Sequence, residues 1–354
     1  MKFKSKKNQV YFIAEVGSNH EGNFNDAKKI IKNCIKSTAD CIKIQIYTAK
    51  NMVSKKDSNE RYNHFSKLKL NIDDYLSLAK LVCKSGKDFS ASIWDKELIK
   101  PFNRYLKFYK IGSGDITNYE IIDEITKTGK PILISTGLST IRDIKNTLNF
   151  ISNNNKKYKN KQMISLLHCN TAYPTPIENS NLLTIKKLQK IFKRTIGYSD
   201  HTIGNFVPLM AYIYGAKIIE KHYSINPKKK SFRDHQISIN KNEVNTLLKN
   251  INSINEVNKF KDKQVTRSEK LQNNLRIFRR SIYLKKDIKI NEKICKDKII
   301  SLRPFRGICG SKYFKIIGKK VKKNLKKGDA LYHHDLFWCL KLQYISQTKT
   351  TESF

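Results

Sequence analysis

The sequence predicts an α/β chain: a (β/α)8 (TIM) barrel followed by a small β-rich domain. Eight short runs rich in Ile, Val, Phe and Tyr recur between residues 11 and 223, with helix-like stretches in the intervals. Strands alternating with helices give a parallel sheet with right-handed crossovers, and eight such units in about 250 residues suit a closed barrel. Beyond residue 280 the pattern changes to short strands and turns. An open doubly wound sheet is the rival; it needs fewer strands and a Gly-rich first turn, and GxGxxG is absent.

The strand runs are, in order, YFIAEVG (11–17), CIKIQIY (41–47), DFSASIW (88–94), FYKIGS (108–113), PILIST (131–136), MISLLHC (163–169), TIGYSD (195–200) and KIIEKHY (217–223). Residues 25–38 set Ala27, Ile30, Ile31, Cys34 and Ile35 on one helical face, and residues 73–84 do the same with Leu76, Leu78, Ala79 and Val82. The connection 48–72 is long, polar and charged, and is expected to form a flap over the barrel mouth. The expected boundaries are a barrel over 1–258, a charged linker without strong periodicity over 259–280, the β-rich domain over 281–340, and a polar tail, 341–354, that frays.

With 354 residues, 39% of them hydrophobic, the chain can bury a sizeable core. The 70 Lys and Arg against 30 Asp and Glu leave a net charge of +40. The lysines are spread among Asn and Ile along the whole chain, with no compact arginine patch and no RNA-binding aromatic motif. A basic nucleic-acid-binding barrel is therefore the weaker alternative, and the field is expected to attract an anionic small substrate. The seven cysteines include no CxxC pair; they read as reduced thiols of a cytoplasmic protein, with Cys34, Cys41, Cys83 and Cys169 buried. The apolar run 10–16 is short and contains Glu15, so it reads as a strand rather than a signal peptide. No run approaches the ~20 apolar residues that span a bilayer, so no membrane partner is expected.

Polar residues collect where the strand runs end. Glu15 stands before GSNHEG; Lys43 and Gln45 share one face of the second strand; Lys110, Ser113 and Asp115 close the fourth; Ser135 and Thr136 the fifth. His168, Asn170 and Tyr173 follow the sixth, Ser199, Asp200 and His201 the seventh, Glu220 and His222 the eighth. A barrel that gathers polar groups on one rim reads as an enzyme. Lys43 and Lys110 sit in apolar strands, where an unpaired ammonium costs several kcal/mol. Each must meet an anion, either Glu15 or Glu220 or, with the small residues of GSG and STG beside them, a phosphate. Either histidine alone reads as a satisfied core residue; on adjacent strand ends, His201 and His222 can share a metal that keeps positions open for substrate. Beside two lysines, Glu15 is expected to stay ionised. The consecutive His333 and His334 read as surface residues on opposite faces of a strand.

At IAEVGSNHEG (13–22), ADCIKIQIY (39–47), YKIGSGD (109–115), PILISTG (131–137), LLHCNTAYPTP (166–176), IGYSDHT (196–202) and IIEKHYS (218–224), the chain resembles the sialic-acid (N-acetylneuraminate) synthase family. RRSIYLKKDI (279–288), SLRPFRGI (301–308) and IGKKVKKNLKKGD (317–329) resemble its antifreeze-like (SAF) domain. The resemblance implies condensation of phosphoenolpyruvate with an N-acylated hexose, N-acetylmannosamine or a diacetamido-trideoxyhexose, to give a nonulosonic acid and phosphate. It implies Lys110, Ser113 and Ser135 on phosphoenolpyruvate, with Lys43, Gln45 and Ser199 beside them. Glu15, Lys43 and Glu220 become the catalytic group. Asn170, Tyr173 and Asp234 become sugar-side residues, and His201 and His222 hold a divalent metal, manganese with magnesium or cobalt as alternatives. It further implies a domain-swapped homodimer in which Arg303 reaches the neighbour's site, although the usual RPG continues here as RPF, with Phe305. Another phosphoenolpyruvate-dependent keto-deoxy sugar acid synthase is the alternative within enzymes, and the SAF-like tail argues against it.

Overall fold

A computed structural model describes residues 3–5, 7–258 and 262–337. The tail expected over 341–354 and the first residues of the expected linker, 259–261, lie outside the described residues. The chain divides into two compact units, Met1–Lys259 and Phe260–Phe354.

The first unit is a closed barrel of eight parallel strands in the order of the chain. They are β1 (Tyr11–Gly17), β2 (Cys41–Ile46), β3 (Asp88–Ile93), β4 (Phe108–Ile111), β5 (Ile132–Ser135), β6 (Ile164–Cys169), β7 (Ile196–Asp200) and β8 (Ile218–His222). The helices outside it are α1 (Phe24–Ile35), α2 (Asn59–Leu68), α3 (Ile72–Lys84), α4 (Lys96–Phe102), α5 (Tyr119–Lys127), α6 (Ile141–Asn154), α7 (Leu183–Phe192), α8 (Phe206–Ile213) and α9 (Lys241–Val257). Their starts follow ordinary capping chemistry. Asn23 caps α1 by accepting from the Asp26 amide, and Thr140 with Asp143, and Asn240 with Glu243, form capping boxes on α6 and α9. Alternation along each strand sends one set of apolar side chains, among them Phe12, Ala14, Ile42, Ile44, Ile132 and Ile219, into the layer between sheet and helices. The other set enters the lumen.

The lumen is graded along its axis. At the N-terminal end Phe3, Tyr11, Ile13, Phe108, Leu133 and Ile218 are part of one buried apolar cluster. The Phe3 ring meets Tyr11 edge-on at 5.4 Å and Phe108 at 4.9 Å. One pleat further along the same strands the inward residues turn polar. Register pairs Glu15 with Lys43 on one side and with His222 on the other, and Ser199 with Glu220.

The segment 48–72 holds a short turn at Ala49–Asn51 that leads into α2. Two expectations are corrected here. Cys83 lies exposed near the end of α3, because the helix's apolar stripe through Leu78, Ala79 and Val82 leaves it on the solvent side; Cys34, Cys41 and Cys169 are buried. His333 and His334 are exposed, but in a helical turn, His333–Asp335, rather than a strand.

In the second unit, α10 (Arg267–Leu271) and α11 (Asn274–Phe278) occupy part of the stretch expected as linker. Thr266 and Glu269 form a capping box on α10, a local signal in an aperiodic segment. An antiparallel pair, β9 (Ser281–Leu284) and β10 (Ile299–Leu302), and the short α12 (Tyr313–Ile316) follow. Ile282, Leu284, Ile294, Ile308, Val321 and Leu331 are buried in its small core. Arg303 is exposed; its Nε donates to the Phe278 carbonyl at 2.7 Å, and the Phe305 amide donates to the Arg276 carbonyl at 2.7 Å.

Candidate active site

At the C-terminal end of the strands the lumen opens into a cavity of about 440 Å³. Of the residues singled out from the sequence, Glu15, Lys43, Gln45, Lys110, Ser113, Ser135, Tyr173, Ser199, His201, Glu220, His222 and Asp234 all line it. Asn170 does not. Lumen positions on β6 fall on Leu167 and Cys169, and the cavity takes Cys169 and Thr171. Alternation therefore turns Asn170 away, and its amide donates instead to the Asn179 carbonyl at 3.2 Å. His168 is turned away for the same reason and bonds the Ser180 carbonyl at 2.8 Å. Arg303 belongs to the second unit.

The floor is a buried ionic cluster. Lys43 pairs with Glu15 and lies 3.7 Å from Glu220; Lys110 pairs with Glu220 at 2.6 Å, and Ser199 donates to the same carboxylate at 2.9 Å. Both lysines therefore have anions within the chain. Burial pushes the Glu220 carboxyl upward, but Lys110, Lys43 and their hydrogen bonds outweigh it and hold the group at about 2. Glu15 goes the other way: burial, helped by Glu220, raises its carboxyl in spite of Lys43. The two carboxyls, both beside lysines, are thus shifted in opposite directions, Glu15 up and Glu220 down. Burial works against both ammoniums. Glu15 and Glu220 outweigh it at Lys43, which is raised, but not at Lys110, which is lowered.

Beside this floor stand small residues and the histidines. The Gly137 amide donates to Ser113 Oγ at 3.1 Å, and a Cβ at Gly137 would come within 2.8 Å of that oxygen, so the STG string needs its glycine for this approach. Ser135 Oγ is buried without a hydrogen-bond partner. The His201 and His222 rings lie 5.5 Å apart, and the Tyr173 ring lies against His201, centroids 4.1 Å apart and tilted by 31°. His201 Nδ1 lies 2.6 Å from the Asn170 carbonyl, which can only accept; Nδ1 must donate, leaving Nε2 with its lone pair. Burial lowers His201 to about 4 and carries His222 well below the usual histidine range, so both rings are neutral. His222 Nδ1 is buried with no hydrogen-bond partner, and Asp234 stands 3.7 Å from it. Gly17, at φ +56°, passes so close that a Cβ would lie 3.2 Å from the His222 ring. Among the described residues no set of three or more His, Cys, Asp and Glu is assembled for a cation. Two neutral imidazoles nonetheless suit a divalent ion that keeps most positions for water and substrate.

The upper wall comes in part from 48–72, expected over the mouth, but its individual residues were not singled out in the sequence. Met52, Arg61, His64 and Phe65 reach the cavity from the turn and helix within 48–72; Trp94 comes from the end of β3, and Phe232 and Arg233 from beyond β8. Trp94 donates its indole N–H to Asp115, and His64 stacks on Phe232 at 6.0 Å. The tryptophan ending DFSASIW was the only such signal visible in the sequence.

Residues 30–263 match the NeuB family model. The chain belongs to the NeuB family. Residues 279–336 of this NeuB-family protein match the SAF domain. It is 35% identical over 336 residues to an N,N'-diacetyllegionaminic acid synthase of Campylobacter jejuni, an alignment covering 91% of this chain and 99% of the relative. It is 30% identical over 340 residues to a pseudaminic acid synthase of the same species, covering 92% and 96%. Among solved structures it resembles the N-acetylneuraminic acid synthetase of Leptospira borgpetersenii, with a TM-score of 0.66 and 28% identity over 76% of this chain and 92% of that one.

Proposed function

We propose that this NeuB-family protein condenses phosphoenolpyruvate with an N-acylated hexose and water, giving a nonulosonic acid and phosphate. One observation carries the reading: Lys43 and Lys110, with Glu15 and Glu220, form the floor of a rim cavity that Ser113, Ser135 and Ser199 also line. The two lysines and two glutamates cancel when all are ionised. The two ammoniums still present N–H donors to the phosphate and carboxylate oxygens of phosphoenolpyruvate, and Glu15, whose carboxyl burial raises, is the weaker of the two carboxyls in competing for them. The Ser113 and Ser135 hydroxyls fix the oxygens; the +40 charge of the chain speeds their arrival.

The methylene carbon of phosphoenolpyruvate then bonds to the aldehyde carbon of the open-chain sugar, whose oxygen takes a proton from solvent, balanced by the proton released when water adds in the next step. The positive charge left on the enol carbon is stabilised by the Glu15 and Glu220 carboxylates nearby. Water adds there, helped by Glu15 as base, and phosphate leaves by cleavage of its bond to carbon. Tyr173 and Asp234 orient the sugar from the wall, so much of the acceleration comes from holding two substrates in register. His201 and His222 would hold the divalent cation, manganese first, with magnesium or cobalt as alternatives. When bound, it supplies Lewis-acid polarisation of the aldehyde oxygen.

A second copy of the chain supplies Arg303, making a homodimer with equivalent sites. The protein works in the cytoplasm: the free thiols of Cys34, Cys41 and Cys169 suit a reducing compartment, and among the described residues no helix is long and apolar enough to cross a membrane. The test is phosphate release from phosphoenolpyruvate with N-acetylmannosamine and with diacetamido-trideoxyhexoses, each with manganese, magnesium and cobalt. Release that depends on one of these sugars supports the reading; release with none of them, or with unacylated aldoses alone, overturns it.

A further inference from the structure

We propose that the buried ion pair between Asp200 and Lys221 is a positioning device, which sets the separation of His201 and His222 and thereby the affinity of the site for a divalent cation. This rests on the reading of those two histidines as metal ligands.

Asp200 and Lys221 are register partners at the last paired position of β7 and β8. They alternate with Ser199, Glu220 and His222, which face the cavity, so both point into the layer between sheet and helices; neither lines the cavity. Both side chains are 0% exposed. Burying two charges costs several kcal/mol apiece, and well-packed apolar residues in such places are often as stable or more so. Stability alone gives no reason for the pair.

Its partners give one. Lys221 Nζ meets Asp200 Oδ2 and also donates to the Thr202 carbonyl at 2.7 Å. Asp200 Oδ1 accepts from the Thr202 amide at 3.2 Å and from its hydroxyl at 3.0 Å. The residues on both sides of His201 are thus tied to the residue that precedes His222. The tie continues the connection just where the β7–β8 ladder stops. The outer flanks are pinned separately: the His201 carbonyl accepts from the Thr175 amide, and the His222 carbonyl from the Ile239 amide, each at 2.9 Å. With those ends fixed, the Asp200–Lys221 bridge and the Lys221–Thr202 bond join the two histidine strands on the outer face, opposite the Ser199–Glu220 bond on the lumen face, at the level where the rings stand 5.5 Å apart.

The test titrates Mn2+ alone into the full-length protein by calorimetry, and measures the KM for phosphoenolpyruvate separately. The double variant Asp200→Asn, Lys221→Met removes both charges at nearly constant shape, so no lone buried charge remains. It is expected to bind Mn2+ about ten- to a hundredfold more weakly, in the range seen when residues supporting metal ligands are replaced. Its KM for phosphoenolpyruvate stays within about twofold, because Lys110 and Ser113 lie on another strand. Thr202→Val removes only the hydroxyl bond and is expected to weaken Mn2+ about threefold; it carries the test should the double variant not fold. Wild-type Mn2+ affinity in a folded double variant, or in Thr202→Val if that alone folds, overturns the proposal. So does a Mn2+ loss matched by an equal rise in KM and a fall in Tm, which marks general loosening. His222→Ala separates the two readings. If it binds Mn2+ as the wild type does, the histidines are not ligands and the clamp falls with them. If it loses Mn2+ while the double variant keeps it, only the clamp fails.

Discussion

The two ends of the barrel lumen are built from the same strands and hold opposite contents. At the N-terminal end Phe3, Tyr11, Phe108 and Ile218 fill the space with edge-on rings and branched aliphatics. Two residues further along, Ile13 gives way to Glu15, Phe108 to Lys110, Leu133 to Ser135 and Ile218 to Glu220. The first end is what a stable core looks like. The second is not, since buried ion pairs roughly break even against apolar packing, and here Glu15 Oε1, Ser135 Oγ, His222 Nδ1 and Asp234 Oδ1 are left without hydrogen-bond partners. Stability is concentrated at one end, and unsatisfied polar capacity, the mark of a ligand's place, at the other.

Substitutions at the two ends should therefore fail in different ways. The largest effect is expected from Lys110→Met, which should lower kcat/KM for phosphoenolpyruvate about a thousandfold in the folded fraction, some 4 kcal/mol of transition-state stabilisation, with a fall in Tm as well because Glu220 loses its nearest partner. Turnover within tenfold of wild type would erase the distinction between the ends. Phe108→Ala, two residues earlier on β4, should do the reverse. Urea unfolding should show a loss of about 3–5 kcal/mol, while the kcat of the folded fraction stays within about threefold.

Asp234 sharpens the contrast through pH. Burial raises its carboxyl to about 6, against the pull of Arg233. Above that pH it is a carboxylate and accepts from the sugar; below it is protonated and does not. The kcat/KM for the sugar should fall with an acid limb near pH 6, about tenfold per unit, and Asp234→Asn should lose that limb. The smallest signal comes from the second unit. Mixing His222→Ala with Arg303→Ala, each inactive, should restore about a quarter of wild-type turnover, because half the re-formed dimers carry one intact site of two. No recovery, with heterodimers verified by mass, would remove Arg303 from the neighbour's site.

The strands were readable because each apolar run had to cross the barrel, and alternation within a run correctly set Lys43 with Gln45 and Glu220 with His222 on the lumen side. Alternation is also what the placing of Asn170 overlooked: counted from Leu167 and Cys169, it points outward. The pairings were open in the sequence because Lys43 with Glu15 depends on the register of two adjacent strands, and Lys110 with Glu220 on side-chain reach across the lumen from β4 to β8. The same holds for the rise of the Glu15 carboxyl, which needs Glu220 nearby and water absent. The wall from α2 carried little apolar signal: its lining residues Arg61, His64 and Phe65 share one helical face, but two of the three are polar, as a face on a cavity rather than a core can be.

The most direct test of the rim as a condensing site is turnover of phosphoenolpyruvate with an N-acylated hexose in oxygen-labelled water. Attack by the methylene carbon, followed by water at the enol carbon, predicts unlabelled phosphate and one labelled oxygen in the new acid. Label in the phosphate, or phosphate released at the same rate without sugar, would contradict it.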